Sequence, residues 1–294
     1  MGTWDAGLSW ADETMRFSER TNWNTEENKL ARAHRECVSS GLPLADLTAS
    51  NPTRCGFVYN ATVLAALNDV RALDYDPQPR GLAEAREALC AYYAVHGATV
   101  SPEQVLLTTS TSEAYSFLFR LLCDPGDEVL VPQPGYPLFD FLAGLDDVRL
   151  KPAPLVYDYG WQLDPEGFRR EITERTRAIV LVHPNNPTGH FTKPWEAEEL
   201  ARICRENDLA LIVDEVFLDY GFAGEALSFA AGLSEVLVFV VSGMSKIAGL
   251  PQMKAAWIVT TGSERTPALE RLEVIADTFL SMNAMKNGRP SGLS

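Results

Sequence analysis

The chain has 294 residues, 46% of them hydrophobic and 22% charged, a globular composition that suits one large domain or one domain plus a fragment. Its formal net charge of −15 argues against a nucleic-acid-binding surface and gives no reason to expect attraction to anionic membranes. No apolar stretch approaches the roughly 20 residues that span a bilayer, and Met1-Gly2-Thr3-Trp4-Asp5 lacks the basic start and apolar core of a signal peptide, so a cytoplasmic protein is expected.

In chain order, residues 1–45 are polar and helix-prone, with the best helical stretch from Glu26 to Val38. Residues 61–74 and 81–96 read as two further helices, the second rich in strong helix formers after Gly81. From residue 105 strands alternate with helices. The strands are expected at 105–109, 128–132, 148–155, 178–183, 209–213, 236–241 and 255–261; helices fall at 112–122, 136–144, 165–174 and 194–207. Such alternation predicts an α/β fold, a mostly parallel sheet with helices on both faces. Pro267 to Leu280 reads as a last helix, and the segment from Met285 to Ser294 has no apolar periodicity and is expected to be a disordered tail. Cys37, Cys55, Cys90, Cys123 and Cys204 are scattered, without a CxxC pair, and read as reduced packing cysteines. His34, His96, His183 and His190 have no ligand spacing, so no metal site is expected.

Chemistry-bearing residues recur just past the strands, where open α/β sheets bind ligands. Lys246, in Ser242-Gly243-Met244-Ser245-Lys246, follows the apolar run Val236 to Val241, and an amine in such a place can attack a carbonyl. Thr108-Thr109-Ser110-Thr111-Ser112 offers hydroxyls at a helix start, suited either to a phosphate or to simple capping. Tyr136, in Pro134-Gly135-Tyr136-Pro137, supplies a flat face for a ring or for core packing. Asn186, in Asn185-Asn186-Pro187-Thr188-Gly189, provides an amide in a tight turn. Asp214 ends the run Leu209 to Val213; its carboxylate can keep a pyridine nitrogen protonated, cap a helix or bind a metal, and no second acidic cluster favours the metal. Lys254, eight residues beyond Lys246, adds positive charge. Together these features point to pyridoxal 5'-phosphate.

From about Leu47 to Gly262 the chain resembles the fold-type I pyridoxal-phosphate-dependent enzymes, specifically the class I/II aminotransferases. Asn186-Pro187-Thr188-Gly189, Asp214-Glu215-Val216 and Ser245-Lys246 are the specific part, with Asn51-Pro52-Thr53, Tyr75 with Gly81, and Pro125 to Val129 in support. The resemblance implies a large domain built on a seven-stranded mostly parallel sheet. It makes Lys246 the Schiff-base lysine and proton shuttle, Asp214 the partner of the ring nitrogen and Asn186 that of the phenolic oxygen. Tyr136 would stack on the ring, and Ser110, Thr111, Ser112, Ser242 and Lys254 would serve the phosphate. Tyr75 would reach the neighbouring subunit's phosphate, which implies a homodimer. The implied reaction passes an amino group between an amino acid and a 2-oxo acid; the alternatives are a carbon–sulfur β-lyase of the same fold and a cofactor-binding or regulatory protein without turnover.

Three departures accompany the resemblance. Lys254 stands where the family usually has arginine, and Phe217 where it commonly has a tyrosine donor. Family members also continue for roughly another hundred residues, about one small domain, which carry a carboxylate-binding arginine; Arg265, Arg271 and Arg289 lie in no matching motif. The expected organisation is therefore an N-terminal arm or partial small domain at 1–45, a cofactor-binding large domain at 46–265, and an interdomain helix with a truncated tail at 266–294. Most of the C-terminal small domain is expected to be absent, through natural truncation, a shifted reading frame or a broken gene model.

Overall fold

The computed structural model describes residues 15–41, 43–45, 47, 50–68, 70–222, 227–233, 235–280 and 282. The chain divides into two units, residues 1–48 and 49–294. The first contains helix α1 (Lys29–Ser39). It starts later than the Glu26 expected from sequence because Asn28 caps it, its Oδ1 accepting the Ala31 N–H at 2.8 Å.

The second unit carries α2 (Ala83–Val95), β1 (Val105–Thr108), α3 (Thr111–Leu122), β2 (Glu128–Gln133), α4 (Leu138–Leu145), β3 (Arg149–Tyr157) and β4 (Trp161–Leu163). There follow α5 (Pro165–Glu171), β5 (Thr176–Val182), α6 (Pro194–Glu206), β6 (Ala210–Asp214), β7 (Val238–Gly243), the single turn α7 (Met244–Ile247), β8 (Ala256–Thr261) and α8 (Arg265–Thr278). The strands form one sheet of eight in the order β1-β8-β7-β6-β5-β2-β3-β4. The pairs β3–β2, β2–β5, β5–β6 and β6–β7 are parallel, while β8 runs antiparallel to both β7 and β1. Two reversals cancel, so β1 points the same way as β7, and β1, β7, β6, β5 and β2 all end at one edge of the sheet.

Alternation along the central strands explains why they are apolar throughout. Leu211 and Val213 of β6 join one core with Tyr93 of α2, Phe168 of α5 and Ile203 of α6. Ala210 and Ile212 join the other with Leu118 of α3, Phe139 of α4 and Leu272 of α8. Successive side chains leave a strand on opposite faces, so a strand covered by helices on both sides has no polar face.

Two expectations need correction. Residues 61–74 form two short 3-10 segments, Ala61–Leu67 and Val70–Leu73, in place of one helix. The seven expected strands are joined by an eighth, β4, which pairs antiparallel with β3 from Leu155–Leu163 to Tyr157–Trp161; three residues carry too short a pattern to be read from sequence. The expected tail, Met285 to Ser294, and residues 1–14 lie outside the described residues.

Candidate active site

Asp214, Lys246 and Asn186 follow three neighbouring parallel strands, so the sheet itself sets their spacing. Val182 of β5 is level with Asp214 of β6, and Asp214 with Val241 of β7. The chain then leaves each strand in register: His183 N–H donates to the Asp214 carbonyl at 2.8 Å, and Glu215 N–H to the Val241 carbonyl at 2.8 Å.

Asp214 is 6% exposed. Its Oδ1 accepts the Val216 N–H at 3.0 Å and its Oδ2 the Tyr115 hydroxyl at 3.0 Å. Burial pushes its carboxyl up to about 6, against the opposing pull of Val216, Tyr115 and the positive charge of Lys246. Lys246 is the exposed residue of the otherwise half-buried turn α7, its Nζ 5.7 Å from the centre of the Phe217 ring. Gly243, where β7 passes into α7, packs against β8 so closely that a Cβ there would meet the Ala256 Cβ at 2.9 Å. Glycine is needed at that position for the close approach of two backbones.

Tyr220 and Tyr59 brace the lysine turn. The Tyr220 hydroxyl donates to the Lys246 carbonyl at 3.1 Å, and its ring meets Phe217 edge-on at 5.6 Å. The Tyr59 hydroxyl donates to the Gly249 carbonyl at 2.5 Å. Asp219, next to Tyr220, accepts the Tyr92 hydroxyl at 2.8 Å and lies 3.2 Å from His96 Nε2, tying this segment to α2 and the loop after it.

The remaining candidates divide by position. Ser110 caps α3, its Oγ accepting the Glu113 N–H at 3.1 Å, while the Glu113 carboxylate accepts the Thr109 N–H at 2.6 Å. The hydroxyl oxygen therefore caps the helix, while its O–H has no acceptor among the described residues. Thr111 and Ser112 open the same helix, half-buried, and their hydroxyls have no hydrogen-bond partner among the described residues. Tyr136 follows β2, 41% exposed, with Phe139 edge-on at 5.7 Å. Asn186 is half-buried in a loop anchored by Asn185, whose Nδ2 donates to Thr188 Oγ1 at 2.9 Å and to the Pro134 carbonyl at 3.3 Å. The Asn185 Oδ1 is buried without a hydrogen-bond partner among the described residues. Ser242 is fully buried on β7 and donates to the Glu215 carbonyl at 3.3 Å. Lys254 is exposed in the left-handed region at φ 51°, and Tyr75 is 88% exposed.

A cavity of about 810 Å³ opens beside Asn186 and Phe217, lined mainly by apolar groups including Phe191, Leu227, Phe229 and Leu233. Its wall contains His183, whose imidazole burial drives down to about 4 and so holds neutral.

Sequence reasoning missed Tyr115, Glu196 and the roles of Glu215 and Tyr220. Tyr115 sends a usable signal: it shares the buried face of α3 with Leu118 and Phe119, and a phenol buried there needs a hydrogen-bond partner.

Comparison with known proteins points to one family. A family model described as aminotransferase class I and II matches residues 55–288. The aspartate/prephenate aminotransferase of Thermus thermophilus is 38% identical over 229 residues, covering 76% of this chain and 56% of the relative. The glutamate-pyruvate aminotransferase AlaA of Haemophilus influenzae is 27% identical over 260 residues, covering 85% of this chain and 64% of the relative. An alanine aminotransferase structure from Pyrococcus furiosus superposes with a TM-score of 0.81 at 26% identity, covering 92% of this chain and 71% of that one. A single-mutant aspartate aminotransferase from Thermus thermophilus gives 0.78 at 28% identity, covering 93% of this chain and 71% of that one. The chain thus spans 56% and 64% of the length of these two curated relatives.

Proposed function

The chain belongs to the class I and II aminotransferase family, and from that premise we propose that it is a pyridoxal-phosphate-dependent enzyme passing an amino group between an amino acid and a 2-oxo acid. The observation that carries this reading is the succession Asn186, Asp214, Lys246 beyond β5, β6 and β7, with a buried carboxylate close enough to feel the lysine's charge.

The donor set fits the cofactor. Asp214 supplies a buried anion for a ring nitrogen, the free Thr111 and Ser112 hydroxyls stand at a helix N-terminus suited to a phosphate, and Lys246 supplies the amine that would hold the group covalently. Asn186 and Tyr136 would contact the phenolic oxygen and ring face, and Ser110, Ser242, Lys254 and a partner subunit's Tyr75 complete the set proposed from sequence. Of these, Ser242 already donates its hydroxyl proton to the Glu215 carbonyl, whereas Ser110 only accepts, so Ser110, Thr111 and Ser112 are the better phosphate donors. When bound, pyridoxal phosphate supplies an electron sink for the α-carbon of the substrate. In this reading Lys246, once the substrate amine has released it from the cofactor, would take the proton from that α-carbon at Nζ and pass it on to the cofactor rather than back to the α-carbon, as amino transfer requires. The Asp214 carboxylate stays charged opposite the ring nitrogen, and the Phe217 ring shields one side of the amine from water.

Further parts of the proposal are a homodimer, a cytoplasmic location, and a cofactor-binding domain at 46–265 flanked by an arm at 1–45 and a helix and tail at 266–294. The division of the chain at residue 48 supports the first boundary. No helix among the described residues is long and apolar enough to cross a membrane. No feature among them favours the carbon–sulfur lyase or a protein without turnover over transamination.

The test is to add pyridoxal phosphate to the purified chain, record the visible absorbance band, reduce with borohydride and map the label. The expected result is a label on Lys246 and loss of the band when an amino acid is added to the unreduced protein. A label spread over surface lysines would overturn the site.

A further inference from the structure

Asp214 must remain an anion in a place that disfavours anions, so what holds it matters as much as where it stands. Its two oxygens have one donor each among the described residues: the Val216 backbone N–H on Oδ1 and the Tyr115 hydroxyl on Oδ2. Val216 is a local turn contact, two residues on. Tyr115 comes from the first turns of α3, 99 positions away in the chain, and is 2% exposed. Its ring is wedged edge-on against Phe139 at 5.0 Å and tilted against Phe119 at 6.0 Å. Phe139 in turn meets Tyr136 edge-on at 5.7 Å. The result is a continuous aromatic brace from Tyr136, through Phe139 and Tyr115, to the carboxylate.

We propose that Tyr115 is a positioning residue for this reaction: its hydroxyl orients the Asp214 carboxylate and keeps it ionised. The inference rests on the reading of Asp214 as the partner of the cofactor's ring nitrogen.

The groups facing the carboxylate account for the direction of the effect. Tyr115 approaches from α3 and Lys246 from α7, both favouring the charged form. Glu215, the next residue along the chain, interacts with it as a like charge. Tyr136 stands near enough to Tyr115 to be felt there. Burial and the neighbouring anion push the Tyr115 phenol well above its usual range, so it remains a donor at any working pH. Removing that donor withdraws a hydrogen bond from an ionised group and makes the proton harder to remove.

Tyr115→Phe deletes the hydroxyl alone, and Phe139→Leu loosens the brace while leaving the hydroxyl in place. In the cofactor-free chain, the Asp214 carboxyl is titrated by 13C NMR, its resonance assigned by its loss in Asp214→Asn. Pyridoxal phosphate dissociation constants are then measured from pH 6 to 9 for every variant. The expected result for Tyr115→Phe is a rise of about one pH unit in the Asp214 midpoint, a tenfold change in proton affinity. Cofactor binding should weaken severalfold near pH 7 and recover toward pH 9, where the carboxylate is ionised in both proteins. Phe139→Leu should leave the midpoint where it is. An unmoved midpoint in Tyr115→Phe, or an equal rise in Phe139→Leu, would overturn the role given to the hydroxyl. A moved midpoint together with undiminished cofactor binding by Asp214→Asn would instead overturn the reading of Asp214, and the inference with it.

Discussion

Two carboxylates stand side by side at the end of β6, and both are lifted by burial, Asp214 to about 6 and Glu215 to about 8. The Glu215 oxygens meet the Ser228 Oγ at 2.7 Å and the Phe229 N–H at 2.6 Å, which pins the 3-10 turn Phe229–Ala231 that lines the cavity. The linkage follows from the sign of these shifts. A carboxyl whose folded value lies above its unfolded one binds the proton more tightly when folded, so its contribution to stability is full at acid pH and is lost as pH rises. For Glu215 the loss runs from the ordinary 4.5 to about 8, and for Asp214 from 3.8 to about 6. The cofactor-free protein should therefore lose stability between about pH 4 and 8. Glu215→Gln, which keeps a polar group opposite Ser228, should flatten that slope and melt above the parent at pH 8.5. Thermal melts across this range check the point, and parallel curves would show that Glu215 does not titrate there. At Phe217, a ring without a donor lies beside the Lys246 amine. Phe217→Tyr adds a hydroxyl that favours the ionised phenolic oxygen of the bound cofactor, so the pH midpoint of the visible band should fall. Absorbance titration of the two holo-proteins reads this directly, and coincident midpoints would place the new hydroxyl out of reach.

At the scale of elements, the loop bearing Asn186 depends on a buried acid in the helix that follows it. Glu196, fully buried in the first turn of α6, accepts the Leu163 N–H at 2.9 Å and the Lys193 N–H at 2.6 Å, and lies 2.8 Å from His190 Nε2. Burial raises its carboxyl, and the His190, Lys193 and Leu163 donors together outweigh burial and hold it below the usual range. Glu196→Ala should cost about 3 kcal/mol or more, because two buried N–H groups and an imidazole lose their partner at once. Urea unfolding measures it. Because the folded value is depressed, the advantage of the parent is present at neutral pH and shrinks as pH falls through the carboxyl range. Much of the element pattern is legible in the chain: Leu209 to Val213 and Val236 to Val241 read as buried strands because helices cover both faces of the sheet. The segment 61–74 misleads because its apolar spacing suits one helix, whereas the chain makes two 3-10 pieces there, a choice that local propensity does not settle.

At the scale of the whole molecule, the stretch before α2 exposes Phe57, Val58, Leu73 and Tyr75, the last three each more than 80% open. Apolar groups gathered in this way suit an interface between copies, which agrees with the proposed dimer and with a Tyr75 that serves a neighbouring site. Sedimentation should give twice the mass of the chain, and Tyr75→Phe should weaken pyridoxal phosphate binding severalfold without dissociating the dimer. A monomer that binds the cofactor as tightly as the dimer would remove Tyr75 from the site.

By itself the sequence determined the α/β alternation and the candidates Asn186, Asp214 and Lys246, because each directly follows an apolar strand run and one strand end is a local pattern. Only the tertiary structure decided what holds them. Tyr115 reaches Asp214 from 99 residues away, and Tyr59 reaches Gly249 from 190. The pairing of β1 with β8 brings the helix start at Thr111 to the same sheet edge as the lysine. Hydrogen bonds between elements exist only after docking, when burial has removed water as the competing partner, and no local spacing encodes which donor will then be nearest.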